Sequence, residues 1–360
     1  MINRRGFIKN SGLLVATSLL LYPAYLFAQK KQKLGVALVG LGYYSTDLLA
    51  PALQLTKYCE LKGIVTGSPE KIPAWQSKYA IKDGNVYNYE NMHEIANNNE
   101  IDVVYIVLPP ALHAKYAIIA ANAGKHVWCE KPMEVTAAKC QSIIDACHKN
   151  KVKLAIGYRM HHEPNTQILM KWAETLPFGN IEYVTAEAGY FDNRTDHWKQ
   201  IKELGGGAMY DMGVYPLNAI RYTKGMEPVQ VSASHETRRP EIYQEVDETT
   251  IFELKFEDGT IAQGKTSLGQ SFNNLEASCE DGSYYLRPFQ SYTGVQGRAS
   301  DGTELLPFKG NQQAKQMDDN ALAIMHDQPM LVPGEEGLKD IHIVEKIYES
   351  AANNSKWIFI

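Results

Sequence analysis

No two of the five cysteines (Cys59, Cys129, Cys140, Cys147, Cys279) stand in a CxxC spacing, and an odd number cannot all pair within one chain. A disulfide framework or a zinc cluster is therefore not expected; buried free thiols are. Blocks of positive charge are scarce too. The net charge is −5, and beyond the short Lys30-Lys31-Gln32-Lys33 stretch no basic block follows the N-terminal segment, which argues against nucleic acid as a partner. Beyond the N-terminal segment no stretch is long and apolar enough to span a bilayer. Internal repeats and low-complexity linkers are lacking as well. What remains is an ordinary globular balance of 44% hydrophobic and 21% charged residues. At 360 residues the chain exceeds what a single core usually organises, so two domains are expected.

Residues 3 to 9 read NRRGFIK, with Arg4 and Arg5 ahead of an aromatic residue and an apolar run. This is the pattern of a twin-arginine export signal, spanning residues 1–28 with a cut after Ala28. The apolar run falls short of the roughly 20 residues of a comfortable span, and Pro23 interrupts it, so an uncleaved anchor is the lesser alternative. The mature protein is expected to be soluble and outside the cytoplasmic membrane, in the periplasm or otherwise exported. The twin-arginine machinery carries proteins that are already folded, so the chain has a reason to fold around something first.

The segments KLGVALVGLG, LKGIVTG, IDVVYIVLPP and KHVWCEKP read as buried parallel strands. Residues 46–57 read as a helix capped by Ser45 or Thr46, and ALHAKYAIIAANAGK as another ending at Gly124. Alternation of strand and helix predicts a Rossmann-type α/β domain over residues 33–155. Residues 156–360 change character. Asp258-Gly259, Asp281-Gly282 and Asp301-Gly302 mark hairpins of an antiparallel sheet. LKDIHIVEKIYESA carries an apolar helical stripe, in a last helix that packs back on the first domain.

Gly40-Leu41-Gly42-Tyr43-Tyr44-Ser45 is a dinucleotide fingerprint without its third glycine. Gly40 permits the turn, and Gly42 lets the backbone approach a pyrophosphate at the positive helix end. At the second strand's tip an NAD site commonly places an acid for the ribose 2′-hydroxyl. This tip offers Thr66, Gly67, Ser68 and Lys71 instead, a set suited to a 2′-phosphate. NADP is therefore the expected cofactor, ahead of NAD.

Glu130-Lys131-Pro132 lies at the C-terminal end of a strand, where open α/β sheets bind ligands. Lys131 is placed to hydrogen-bond a hydroxyl under oxidation. Behind the glycine run 205–207 come Asp211 and Tyr215, four apart and thus on one helix face. Pro216 is tolerable if that helix starts near Asp211. A free phenol titrates near 10, too high for a base near neutrality, and a neighbouring ammonium would lower it. Asp211 would orient the lysine or the substrate. A third stretch, Gly157 to Pro164, holds Tyr158, Arg159, His161, His162 and Glu163. On an extended segment neighbours point opposite ways, so a substrate-facing wall is expected there rather than a metal site.

With EKP, GGGxxxDxGxY and GYRxH in this order, the chain resembles the Gfo/Idh/MocA oxidoreductase family, most nearly its glucose–fructose oxidoreductase branch. The resemblance covers nearly all of the mature chain. It implies a Rossmann domain plus an α/β domain with an open, mostly antiparallel sheet, and an oligomer formed through that sheet. It implies hydride transfer between a sugar and nicotinamide, with Lys131, Asp211 and Tyr215 in the chemistry and Tyr215 as acid/base. Gly40, Gly42, Tyr43, Tyr44, Thr66, Gly67, Ser68, Lys71, Pro109, His113, Glu130, Lys131, Arg159 and Trp198 correspond to cofactor positions. Tyr158, His161, His162 and Tyr215 correspond to substrate positions. Lys199 replaces the branch's Arg, His162 replaces a Tyr, and a long proline-rich arm shrinks to Gln29–Gln32.

An exported dehydrogenase that released its reduced cofactor would turn over once. The cofactor must then be recycled in place, by a second carbonyl substrate in ping-pong fashion. The alternatives are redox-neutral nicotinamide-dependent glycoside cleavage, with His161 or His162 as a further acid/base, and a non-catalytic sugar binder on the same fold.

Overall fold

The computed structural model describes residues 31–360; the expected export signal lies outside the described residues. The first sheet is built from strands with almost no polar face. β1 (Leu34–Val39) is buried at every position, as is β4 (Val103–Ile106). Such runs fit a parallel sheet covered on both sides. With β2 (Cys59–Val65), β3 (Val86–Tyr87), β5 (His126–Cys129) and β6 (Leu154–Ile156) they form six parallel strands in the order β3-β2-β1-β4-β5-β6.

Alternate residues feed two layers. Val36 and Leu38 pack with Leu49, Leu53 and Trp75, whereas Ala37 and Val39 face Ala117, Ile143 and Cys147. The first layer holds α1 (Ala50–Leu53) and α2 (Ile72–Tyr79). The second holds α3 (His113–Asn122) and α4 (Ala137–Lys149). All five cysteines are buried and free, as expected.

After α5 (Pro164–Thr175) comes the long strand β7 (Ile181–Phe191), then α6 (Val214–Lys224). There follow β8 (Pro228–Glu236), β9 (Thr249–Phe256), β10 (Ile261–Ser267), β11 (Gly269–Cys279), β12 (Gly282–Leu286), β13 (Gly297–Ala299) and β14 (Glu304–Leu305). β15 (Ile358–Phe359) completes a nine-stranded sheet in the order β14-β13-β12-β11-β7-β10-β9-β8-β15. Only β7 and β10 pair in parallel. All three Asp-Gly sites connect antiparallel strands, as the sequence predicts. Phe252, Leu254 and Phe256 alternate inward on β9, and the Phe252 ring fills the place of a side chain at Gly264 on β10.

Two C-terminal helices tie the sheets together. α8 (Gly334–Ala352) packs between α4 and β8, and its Glu345 accepts from the Ala137 amide at 3.0 Å. α7 (Gln312–Met325) returns to the first sheet, placing Ala314, Met317 and Ala321 in the layer beneath Leu38 and Trp128. The sequence reading did not single out α7.

Three local expectations need correction. Helical structure after β1 starts at Tyr44, as a π turn to Leu49 that runs into α1, and not at residue 46. Ser45 lies inside that turn and does not cap it; its buried hydroxyl donates to the Gly40 carbonyl at 2.6 Å. Residues Arg159–His162 form a 3-10 turn, not an extended segment.

Candidate active site

Strand order reverses at β1 and β4, and ligands of open α/β sheets bind outside the strand ends at such a point. Gly40 stands there with φ +90°. A side chain on it would collide with the Val107 carbonyl and Leu108, so only glycine fits between the two strand ends. Gly42 differs: a Cβ there would meet no protein atom within 4 Å. Its backbone is thus open to a phosphate, and Tyr43 beside it is 65% exposed. At the β2 tip the Thr66 hydroxyl accepts from the Ser68 amide (3.0 Å), and Gly67 lies against the Tyr89 ring. Lys71 reaches back to the Leu41 carbonyl at 2.9 Å, which brings its ammonium beside the dinucleotide turn. These residues fit a dinucleotide, and no carboxylate precedes Lys71 in the tip except exposed Glu70.

Beyond β4, Pro109 opens a short turn leading into α3. His113 is fully buried. Its Nε2 faces the Leu108 carbonyl (2.8 Å) and its Nδ1 faces those of Pro132 (3.0 Å) and Met133 (3.2 Å). Burial lowers its pKa, while the three carbonyls act to raise it. His113 therefore clamps the Leu108 and Pro132 loops together, and both nitrogens face the protein instead of a ligand.

Glu130 follows β5. Burial pushes its carboxyl up to about 7, against the hydrogen bond from Tyr105 and the charge of Lys131. The Tyr105 hydroxyl donates to Oε1 (2.6 Å) and Gln316 of α7 donates to that hydroxyl (3.0 Å). Lys131 extends from the same strand end. Its Nζ donates to the backbone carbonyl of Asp211 (2.8 Å) and sits 4.3 Å from the Tyr215 ring centroid. The structure thus brings Lys131, at the end of a strand of the first sheet, together with Asp211 and Tyr215 from the turn and helix Met209–Lys224.

The segment that carries Asp211 and Tyr215 is wound unusually. Met209–Gly213 is a π turn, and regular α-helix begins only at Val214, which leaves Pro216 in the first turn of α6. Gly207 (φ +103°) precedes it, where a side chain would strike the Asp247 carboxylate. Asp247 accepts from the Met209 amide (2.8 Å), the Thr250 hydroxyl (2.6 Å) and the Tyr348 hydroxyl of α8 (2.5 Å). That carboxylate fixes the start of the turn and escaped the sequence reading.

Asp211 orients Lys131 through its carbonyl and not its carboxylate. The carboxylate Oδ2 accepts from Lys199 (2.7 Å) and from Tyr190 (2.9 Å). Burial opposes the charge, yet Lys199, Lys131 and these bonds hold its pKa below the ordinary carboxylate range. Lys199 is the direct ion partner of Asp211, and Trp198 stands half-buried next to it on the same short turn.

The 158–162 stretch is not the expected polar wall toward substrate. Tyr158 is buried, and its phenol is held well above its ordinary range by burial and then by the Asp340 carboxylate. His161 Nε2 donates to Asn218 Oδ1 (2.7 Å), and Asn218 donates to Asp340 (3.0 Å), which also binds Arg221 (2.6 Å). Burial lowers the His161 pKa to about 4. His162 Nδ1 meets Asp319 of α7 at 2.8 Å, and burial lowers its pKa as well. The 3-10 turn sends both imidazoles into the packing between helices. Arg159 alone turns to the site. Its guanidinium, 1% exposed, lies 5.5 Å from the Tyr215 ring centroid and 4.8 Å from that of Tyr292. Its Nε is buried without an acceptor among the described residues, a donor suited to a polar ligand group.

Tyr292 was missed in the sequence. It arrives on the loop between β12 and β13, and its ring centroid is 6.0 Å from that of Tyr44. Its only signal there is an aromatic residue inside a Pro-, Ser- and Gly-containing loop.

Comparison with known proteins agrees with this architecture. The profile described as "Oxidoreductase family, NAD-binding Rossmann fold" matches residues 34–158, and the "GFO/IDH/MocA C-terminal domain" matches residues 169–285. The D-xylose 1-dehydrogenase [NADP(+)] of Haloarcula marismortui is 28% identical over 329 residues, 89% of this chain and 91% of its own. The crystal structure of aldose-aldose oxidoreductase from Caulobacter crescentus, complexed with glycerol, superposes with TM-score 0.87 at 33% identity, covering 91% of this chain and all of that one. A levoglucosan dehydrogenase with NADH and levoglucosan shares the fold at 21% identity (TM-score 0.78, 91% of this chain and 100% of that one). The crevice at the β1–β4 reversal, the lysine at the end of β5 and both matched halves lead to one conclusion: the chain belongs to the Gfo/Idh/MocA family of oxidoreductases.

Proposed function

We propose that this protein is an NADP-dependent sugar oxidoreductase, exported in folded form with its cofactor, that passes hydride from one sugar to a second carbonyl compound. It is an NAD(P)-dependent oxidoreductase acting on CH–OH groups of sugars, the class of its relatives. The hydride-transfer chemistry rests on one observation. The Lys131 ammonium is held between the Asp211 carbonyl (2.8 Å) and the Tyr215 ring (4.3 Å) at the mouth of the nucleotide crevice. A bound nicotinamide supplies the hydride acceptor or donor. Lys131 steadies the substrate oxygen as charge develops there. Tyr215 exchanges the hydroxyl proton, and the ammonium over its ring counters negative charge on it. Asp211 keeps Lys131 aimed through its carbonyl, while Lys199 and Tyr190 fix its carboxylate.

Recycling in place follows from the twin-arginine pattern, because a dinucleotide is scarce outside the cytoplasm. Redox-neutral glycoside cleavage would need a further acid at the leaving group, and His161 and His162 are engaged with Asn218 and Asp319 instead. NADP is preferred because Thr66, Ser68 and Lys71 form the β2 tip. The test is to purify the exported protein without added nucleotide, denature it, assay the supernatant and then mix sugar pairs. About one NADP(H) per chain and ping-pong exchange support the reading. An exported protein that is empty and needs added nucleotide at every turnover sinks it. Lys71→Ala should weaken NADP binding about tenfold or more while leaving NAD nearly unchanged; equal effects on both dissociation constants would refute the phosphate role.

A further inference from the structure

The loop joining β12 to β13 is pinned at both feet. On the β12 side Phe289 is buried, and the Phe289 and Gln290 amides both donate to Asn273 Oδ1 (2.9 and 3.0 Å). The Asn273 amide in turn donates to the Gln290 carbonyl (2.6 Å). On the β13 side Val295 is buried, and its carbonyl accepts from Asn165 of α5 (2.9 Å). The Arg287 amide donates to the Gln296 carbonyl at 2.7 Å, closing the loop at its base. Between the feet only residues 291–294 are left to turn, with Gly294 at φ +78°.

Tyr292 is the tip of this short span, and it crosses from one sheet to the other. Its ring centroid is 6.0 Å from that of Tyr44, which follows the fingerprint glycines after β1. Its ring also stacks over Arg159, which follows β6, at 4.8 Å. These two residues follow strands on either side of the β1–β4 reversal. Arg159 lies in turn against Tyr215, so tip, cation and candidate acid/base form one stack. A tyrosine that packs on an arginine over a crevice gains cation–π energy and excludes water at little entropy cost, since its loop is already ordered.

We propose that Tyr292 is a retention residue, a strap that closes the nucleotide crevice by contact with Tyr44 and Arg159 and slows departure of the dinucleotide. This rests on the cofactor reading above and gives it a structural means, one that does not depend on the segment before β1. The effect assigned to the strap is on residence time. The ring's contacts carry it, so the phenol oxygen matters little.

The experiment uses the purified chain loaded with NADPH, followed by nucleotide fluorescence after dilution into an excess of NADP. Tyr292→Ala should release NADPH about tenfold or more faster, while its nucleotide-free form still unfolds in a single cooperative transition, as the parent does. Tyr292→Phe should release it within about twofold of the parent rate, since its ring keeps the stack on Arg159. Equal release by parent and Tyr292→Ala overturns the strap while leaving the oxidoreductase reading intact. Release by Tyr292→Phe as fast as by Tyr292→Ala overturns the ring-contact argument. A parent that binds neither NADPH nor NADH overturns the cofactor reading and the strap with it.

Discussion

At Lys131 a single ammonium meets a backbone carbonyl and an aromatic face, and forms no ion pair among the described residues. The carboxylates of Glu130 and Asp211 lie within electrostatic range, yet its donors are not tied up in an ion pair, which suits a group that must answer charge appearing on substrate. Lys131→Ala or Tyr215→Phe should cut hydride transfer about a hundredfold or more with cofactor still bound, and near-normal rates in both would remove them from the site. Glu130 behaves differently. Its folded pKa of about 7 lies above that of a free carboxyl, so between roughly pH 4.5 and 7 the folded state binds the proton and the unfolded state does not. Its contribution is fully present below that window and is lost as pH rises through it. Thermal midpoints measured from pH 5 to 8 should fall further for the parent than for Glu130→Gln; parallel curves would show that the carboxyl stays ionised in the fold. The fingerprint glycines, Lys131, Asp211 and Tyr215 were legible because each sits where a strand or helix boundary is visible in the pattern. The partnership of Asp211 with Lys199 was not, because a carboxylate's choice between two nearby lysines is made by the fold. His161 and His162 misled for a related reason: a 3-10 turn, invisible in composition, aims them at Asn218 and Asp319.

Elements differ in how plainly their sequence announces them. The parallel strands are unbroken apolar runs, and the hairpins carry Asp-Gly at their turns, so both sheets could be read in advance. α7 could not, since Gln312, Gln313, Gln316 and Asn320 are buried beside its apolar Ala314, Met317 and Ala321. Polar groups inside an interface blur the periodicity on which a helical stripe is recognised. The helix nevertheless covers one face of the first sheet, and Met317→Ala should destabilise the protein by about 2–5 kcal/mol, as a large-to-small core change does. Denaturant titration would show it; a change under about 0.5 kcal/mol would mean that α7 is dispensable to that layer. The turn at Met209–Gly213 is set just as firmly by Asp247. Asp247→Ala should leave Tyr348 and the Met209 amide without their acceptor and lower both stability and turnover, since an unpaired buried donor costs about 1–3 kcal/mol.

For the whole molecule, the two sheets share their covering helices: α8 lies between α4 and β8, while α7 returns from the far end of the chain to the layer below Leu38. The outer side of the nine-stranded sheet presents residues such as Tyr183 and Tyr285, more than a third exposed. We propose, by analogy with the family, that copies of the chain associate there; sedimentation that finds a monomer at micromolar concentration would count against it. A chain ended at Lys309 would keep all six strands of the first sheet and the fingerprint glycines, yet it should bind no nucleotide and be digested rapidly by protease. Retained binding would show that the first half folds alone. The same arrangement bears on timing at the ribosome. Strands β1 to β6 emerge early, but the face that needs Ala314, Met317 and Ala321 stays bare until nearly the whole chain has been synthesised. A nascent chain therefore has no finished nucleotide pocket to fill, and loading becomes an event that follows translation. With the export proposed above, occupancy of that pocket would report that synthesis had run to the end.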